Sequence, residues 1–324
     1  MKMKRNSLVC MITVAMLMLN VSSCKAQKET GHVAGSGVET LSLPAFDAIE
    51  NESAVVLHFK QGSPQSVRIR QADNWRLKAW VSGRTLRLDT EDAYRNVNQK
   101  KAIDVWVTAP SLKSLGNNGS LKVDMDALKS GGLTIKNDGA MNMHAGKLDV
   151  GTLVCENNGS LKYGMIVKAA RIELKNDGAL KDTVAAECPD VSVVNHGSLK
   201  TELTVNGGNI FNLDNYGALN CDIKATCKTV SVKNNGQMQG DMTLRATTMK
   251  YSNDGAGAQK IDFTGDDMNI VNNGSAKIDL RVDCKTLRAE SAGVSKLNIS
   301  GTADDTRFNS GGISKIDSSK LNKF

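Results

Sequence analysis

Aromatic side chains make up only 4% of the 324 residues, and proline and histidine occur four times each. So few large rings argue against a compact globule with a bulky aromatic core and suit a repeat array. Helical periodicity is missing as well. Through the body of the chain apolar residues recur at every second position, not at the three- and four-residue spacing of an amphipathic helix. Beyond residue 23 no apolar run is long enough to cross a membrane. There is no Ser/His/Asp order, phosphate-binding glycine loop or Cys/His metal spacing. Excess charge of one sign is small. The formal net charge is +7, but removing Lys2, Lys4 and Arg5 from the 41 basic residues leaves 38 against 34 acidic ones, a balance that implies no nucleic-acid partner.

What is present begins with an export signal. Residues 1–23 carry a positive start and an apolar run from Ser7 through Val21 that is short for a membrane span. Val21-Ser22-Ser23-Cys24 resembles the lipobox of bacterial lipoproteins, which predicts acylation of Cys24 and attachment to a membrane, most simply the outer one, through lipid. Ordinary signal cleavage nearby with an unmodified Cys24 is the alternative, and both take the mature chain out of the cytoplasm. Residues 24–40 are polar and read as a flexible tether.

An Asn-x-Gly turn then recurs at Asn117, Asn137, Asn157, Asn176, Asn195, Asn215, Asn234, Asn253 and Asn272, continued by Ser291 and Ser310, always 19 or 20 residues apart. A glycine follows two residues later every time, from Gly119 to Gly312, and suggests a backbone position needing positive φ. Apolar columns flank the turn, among them Leu115, Ile135, Cys155 and Leu174 two residues before it and Met165, Val184, Leu203 and Ile223 eight residues after it. No single unit can bury such a face, so the units must stack. The expected fold is all-β: a parallel β-helix, or β-solenoid, of about eleven coils over residues 112–324, on the order of 50 Å long at ~4.8 Å per coil. The asparagines share the parity of the inward columns and are predicted to form a buried structural ladder, each amide bonding its neighbour and the turn backbone.

A second column, five residues after the turn asparagine, holds Lys122, Lys162, Lys181, Lys200, Lys277, Lys296 and Lys315. It has outward parity and makes a candidate stripe for a polyanion. Asp124, Glu202, Asp279 and Asp317 sit two residues beyond four of these lysines and could neutralise them, leaving only a solvated charge ladder. Cys188, Cys227 and Cys284 share a corner column with small neighbours such as Ala169, Gly207 and Ala246. They are two and three coils apart, too far for a disulfide, so buried free thiols are expected. The acidic pairs Asp124/Asp126, Asp266/Asp267 and Asp304/Asp305 are scattered, His144 is isolated, and His196 stands in the middle of a turn. No cofactor or metal site is expected.

Residues 41–111 lack the Asn-x-Gly turn yet still alternate, and they contain Trp75, Trp80 and Trp106, read as core or cap residues rather than a sugar platform. This segment is expected to cap and start the solenoid, because open strand edges invite aggregation. It includes Phe46-Asp47-Ala48-Ile49, Gln61-Gly62, Thr85-Leu86-Arg87-Leu88 and the run from Val105 to Leu115. With the glycine turns that follow, these residues resemble the auto-transporter adhesin head GIN-domain family of secreted and lipid-anchored bacterial proteins, common in Bacteroidetes. The resemblance implies a right-handed β-helix in the cell envelope and brings no catalytic motif. The hand also agrees with the usual chirality of parallel crossovers. The expected function is therefore non-catalytic: an adhesin-like binding or scaffold protein that meets an anionic glycan or another envelope component. A polysaccharide lyase or hydrolase on a β-helix, and a pure spacer holding a protein partner, are the alternatives.

Overall fold

A computed structural model of the chain describes residues 37–72, 75–94 and 101–322. The export signal, Cys24 and nearly all of the tether at 24–40 lie outside the described residues. Nine strands open the described chain: β1 (Val38–Leu41), β2 (Ala48–Asn51), β3 (Ala54–Gln61), β4 (Ser66–Arg70), β5 (Leu77–Ser82), β6 (Thr85–Thr90), β7 (Ile103–Ala109), β8 (Ser114–Asn117) and β9 (Ser120–Ser130). From β8 onward the chain winds as a β-solenoid of about eleven parallel stacked coils. Burial alternates residue by residue along the long strands, as in Ala179–Glu187, where every second side chain is inside. That alternation is the physical content of the apolar columns: a period of two sends one set into the lumen and the other to solvent.

Asn117, Asn137, Asn157, Asn176, Asn195, Asn215, Asn234, Asn253, Asn272, Ser291 and Ser310 lie in register from coil to coil. Each asparagine Nδ2 from Asn117 to Asn253 donates to the Oδ1 of the next, at 2.8 Å for Asn117 to Asn137 and 2.7 Å for Asn195 to Asn215. The same nitrogen reaches the carbonyl of its own turn glycine, as Asn195 does to Gly197 at 3.2 Å. These amides are buried, and the chain of bonds leaves interior rungs with donor and acceptor both used.

Two details correct the reading of the sequence. The ladder starts earlier than the glycine turns do: Asn51, in Asn51-Glu52-Ser53, donates to Asn117 Oδ1 at 2.8 Å and to Ser53 O at 2.8 Å. Segment 41–111 therefore supplies a coil of its own, β2 and β3, which pairs in parallel with β8 and β9 on one side and with β6 and β7 on the other. The turn glycines, moreover, do not need positive φ, which among them is found only at Gly293 and Gly312. They are required by close approach. A Cβ on Gly197 would overlap Gly178 O of the coil before, and the same holds from Gly139 to Gly274. Gly293 and Gly312 turn left-handed where serine has replaced the ladder asparagine.

The cap closes one end by reversing strand direction. β4 runs antiparallel on β7, β5 antiparallel on β6, and β1 antiparallel on β4, with Trp75 and Phe46 fully buried beneath. All five described cysteines are free and buried. In the corner column of Cys188, Cys227 and Cys284, Gly208, not Gly207, stands beside Cys227, because a bulge between Val205 and Gly208 shifts the register.

The ladder predicts unequal costs along its length. Asn195→Ala removes the ladder acceptor of Asn176 Nδ2, which keeps only backbone carbonyls, and the donor to Asn215 Oδ1, both buried, and is expected to cost about 3 kcal/mol. Asn272→Ala should cost less than half of that, since Asn272 Nδ2 has no partner to lose. Urea unfolding midpoints of the two variants would decide, and equal losses would contradict the ladder as an energetic unit.

Candidate functional site

The lysine column emerges on the outer face in two runs. Lys162, Lys181 and Lys200 occupy consecutive rungs. Lys277, Lys296 and Lys315 do the same nearer the other end. Asn220, Gln239 and Ala258 separate the runs, and Asn142 separates Lys122 from Lys162. The structure thus makes two patches of the predicted stripe.

The two patches differ in neutralisation. Lys277 pairs with Asp279 at 3.5 Å, and Asn298 and Lys277 hold that carboxyl below its usual range. Lys122 pairs with Asp124 at 3.4 Å. Among the described residues no ion pair forms at Lys162, Lys181 or Lys200, where the residues two positions on are Gly164, Thr183 and Glu202. Three exposed ammonium groups therefore lie on successive strands about 4.8 Å apart with no carboxylate between them. Like charges directly across a ladder are destabilising.

A turn cluster sits in the neighbouring coils. Asp177 Oδ1 meets His196 Nδ1 at 2.9 Å, and Asp177 Oδ2 meets Lys175 Nζ at 3.2 Å, which lowers the Asp177 carboxyl. His196 stacks on Tyr216 with ring centroids 5.0 Å apart, and Tyr216 is 45% exposed. The sequence reading placed His196 in an exposed turn but overlooked Tyr216. Its signal was an aromatic ring in a turn column that the other asparagine turns fill with Asn, Asp or His.

Other candidates are less open. A groove of about 670 Å³ beside the second lysine run mixes Asp241, Lys260, Asp279, Arg281, Lys296 and Asp317, and is partly self-neutralised by the Arg281–Asp262 and Lys277–Asp279 pairs. Trp106 is sandwiched between His58, at a centroid distance of 5.3 Å, and Arg70, at 4.9 Å, so its faces are already used. The acidic pairs stay apart along the rod. Asp124 faces His58 at 3.6 Å and Asp266 faces Lys285 at 2.8 Å. Among the described residues no group of His, Cys, Asp and Glu is arranged to hold a metal ion.

One titratable group is misplaced for solubility. Asp182 points into the lumen beside the Tyr163 hydroxyl, which donates to it at 3.4 Å, and burial raises its pKa to about 6. A carboxyl whose folded pKa exceeds its unfolded one binds its proton more tightly when folded. Its stabilising effect is complete below about pH 4 and is lost as pH rises through about 6, a change of roughly 3 kcal/mol. Asp182→Asn should therefore flatten stability between pH 4 and 7 and unfold at higher urea than the parent at pH 7.5. An unchanged slope would place the titration elsewhere.

The family described as putative auto-transporter adhesin, head GIN domain, matches residues 45–181 and again 171–323. Similar solved structures include a putative adhesin from Bacteroides fragilis NCTC 9343, 14% identical, covering 87% of this chain and 95% of that one with a TM-score of 0.40. A putative adhesin from Parabacteroides distasonis ATCC 8503 is 14% identical over 86% and 96% of the two chains, with a TM-score of 0.39. A putative lipid binding protein from the same strain is 12% identical over 89% and 96%, with a TM-score of 0.28. Overlaps this loose do not define a ligand. No curated protein matches the sequence.

Proposed function

The chain belongs to the family of putative auto-transporter adhesins with a head GIN domain, and from that premise we propose a non-catalytic envelope protein that binds an anionic glycan through Lys162, Lys181 and Lys200. The family points to a binding or scaffold role in an exported protein. The observation that carries the finer reading is the unneutralised run of three lysines on adjacent rungs. Their mutual repulsion costs stability in the free protein, and a polyanion with a repeat near the strand spacing relieves it. His196, in the turn that leads into Lys200, and Tyr216, in the turn of the next coil, add an exposed stacked aromatic pair in the same coils.

The test is an array of anionic and neutral glycans, with envelope lipids included, probed with residues 25–324 and with the Lys162→Ser/Lys181→Ser/Lys200→Ser variant. Binding to acidic glycans should fall about tenfold or more in the variant and weaken steeply with salt. Equal binding by both proteins, or none by the parent at low salt, would retire the lysine run and leave a spacer or protein-partner scaffold in front.

Anchoring is a separate proposal, resting on Val21-Ser22-Ser23-Cys24. Acylation of Cys24 would tether the rod to the membrane, with the outer membrane as the expected site, and present its side faces to ligand. Labelled fatty acid should be incorporated into the parent and not into Cys24→Ser. Label retained in the variant would place the modification elsewhere, and an unlabelled parent would mean an unlipidated exported protein.

A further inference from the structure

The two ends of the solenoid are finished differently. At one end the antiparallel strands β4 and β5 cover the last parallel coil, and β1 follows on β4. At the other, strand Lys315–Asn322 pairs with Lys296–Ser310, its only partner among the described strands. Side chains in the inward columns there are incompletely covered. Phe308, which follows the buried Ala289 in its column, is 36% exposed, and Ile316 and Leu321 are only partly buried. Such an edge has free backbone donors and acceptors beside an open apolar end, the combination that proteins ordinarily cover.

The exposed strand is complementary to itself. Its register against Lys296–Ser310 runs from Ile316 opposite Leu297 and Asp317 opposite Asn298 to Lys320 opposite Ser300 and Leu321 opposite Gly301, with one extra residue accommodated between. Ser319 donates from its backbone N and from Oγ to Asp317 Oδ1, at 3.2 and 2.7 Å, across that bulge. In a regular strand Ile316 and Leu321 would face opposite sides. The extra residue sends both toward the core, against which both pack, and leaves Asp317 and Lys320 outside, lining the groove.

Two copies of this strand can therefore pair antiparallel about a two-fold axis between Ser318 and Ser319. Ile316 then meets Leu321 of the second copy on the inner face, and Asp317 meets Lys320 of the second copy on the outer face, each pair occurring twice. A two-fold axis normal to the sheet preserves which face a side chain points to, so residues of opposite parity can oppose each other only if a bulge intervenes, and one does. We propose that the protein forms a tail-to-tail dimer through antiparallel pairing of Lys315–Asn322 with the same strand of a second copy. The occupant is a second copy because the apolar and the charged pairs match in one common register. The dimer buries a modest area, so a dissociation constant in about the micromolar range is expected.

Sedimentation of residues 25–324, which contain every described residue, should show twice the monomer mass. Asp317→Lys sets lysine against lysine twice, and Lys320→Asp sets carboxylate against carboxylate twice. Each should raise the dissociation constant about tenfold or more. The double variant Asp317→Lys/Lys320→Asp should dimerise again, and so should an equimolar mixture of the two single variants, as a heterodimer. Unchanged melting by circular dichroism would show that the variants stay folded. Monomer mass for the parent at ~100 µM, or a dimer unmoved by either reversal, overturns the proposal, and so does failure of both the double variant and the mixture to recover. None of these outcomes depends on whether the lysine run binds glycan.

Discussion

Stacked turns one strand spacing apart leave no room for a Cβ between them and bury an amide at every corner. The glycine column meets the first constraint and the asparagine ladder the second, and the rest of the molecule follows from the two. Once Asn117 bonds Asn137 at 2.8 Å and the bonding repeats down the rod, the register of every strand is set. Register in turn decides that leucine stacks on leucine inside and lysine on lysine outside. The ladder also explains where regularity fails. Beyond Asn272 the next rung is Ser291, whose hydroxyl pairs with Ser295 at 2.7 Å, and the glycines after it change conformation.

The same stacking that builds the core forces like charges together on the surface. A lone outward lysine costs nothing, but a lysine at one position of a repeat becomes a row at strand spacing. Two of the lysines are relieved by a carboxylate at the neighbouring position, Lys122 by Asp124 and Lys277 by Asp279. The stretch from Lys162 to Lys200 has no such pair, and the His196–Tyr216 stack belongs to the turns of its last coil and the next. For a family described by adhesion, a patch that is costly in the free protein and open to solvent is the natural candidate for the contact surface. The two ends of the rod add a further asymmetry: one is covered by the chain's own antiparallel strands, and the other keeps a free edge.

Much of this architecture was legible in the sequence. The nine ladder asparagines from Asn117 to Asn272, the period of 19 or 20 residues and the alternation of faces required no coordinates, because a repeat writes its own register when each unit carries the same special residues. The family resemblance rested on residues 46–115 and agrees with the profile match. Asn51 was missed because its turn carries Ser53 where the repeats have glycine. Ser53 is tolerated since its hydroxyl points to Thr90, 2.7 Å away, and no stacked turn glycine lies on that side. Tyr216 was missed because a turn residue has no periodic partner to mark it.

By itself the sequence determined the all-β repeat, the inward and outward columns and the expectation of buried free thiols, since all three depend on spacing along the chain. Only the tertiary structure decided which lysines are neutralised, that steric contact rather than positive φ demands the turn glycines, and that a single bulge puts Ile316 and Leu321 on one face. Those outcomes depend on distances between atoms in different coils, and a linear pattern records which residues recur but not how closely their neighbours approach.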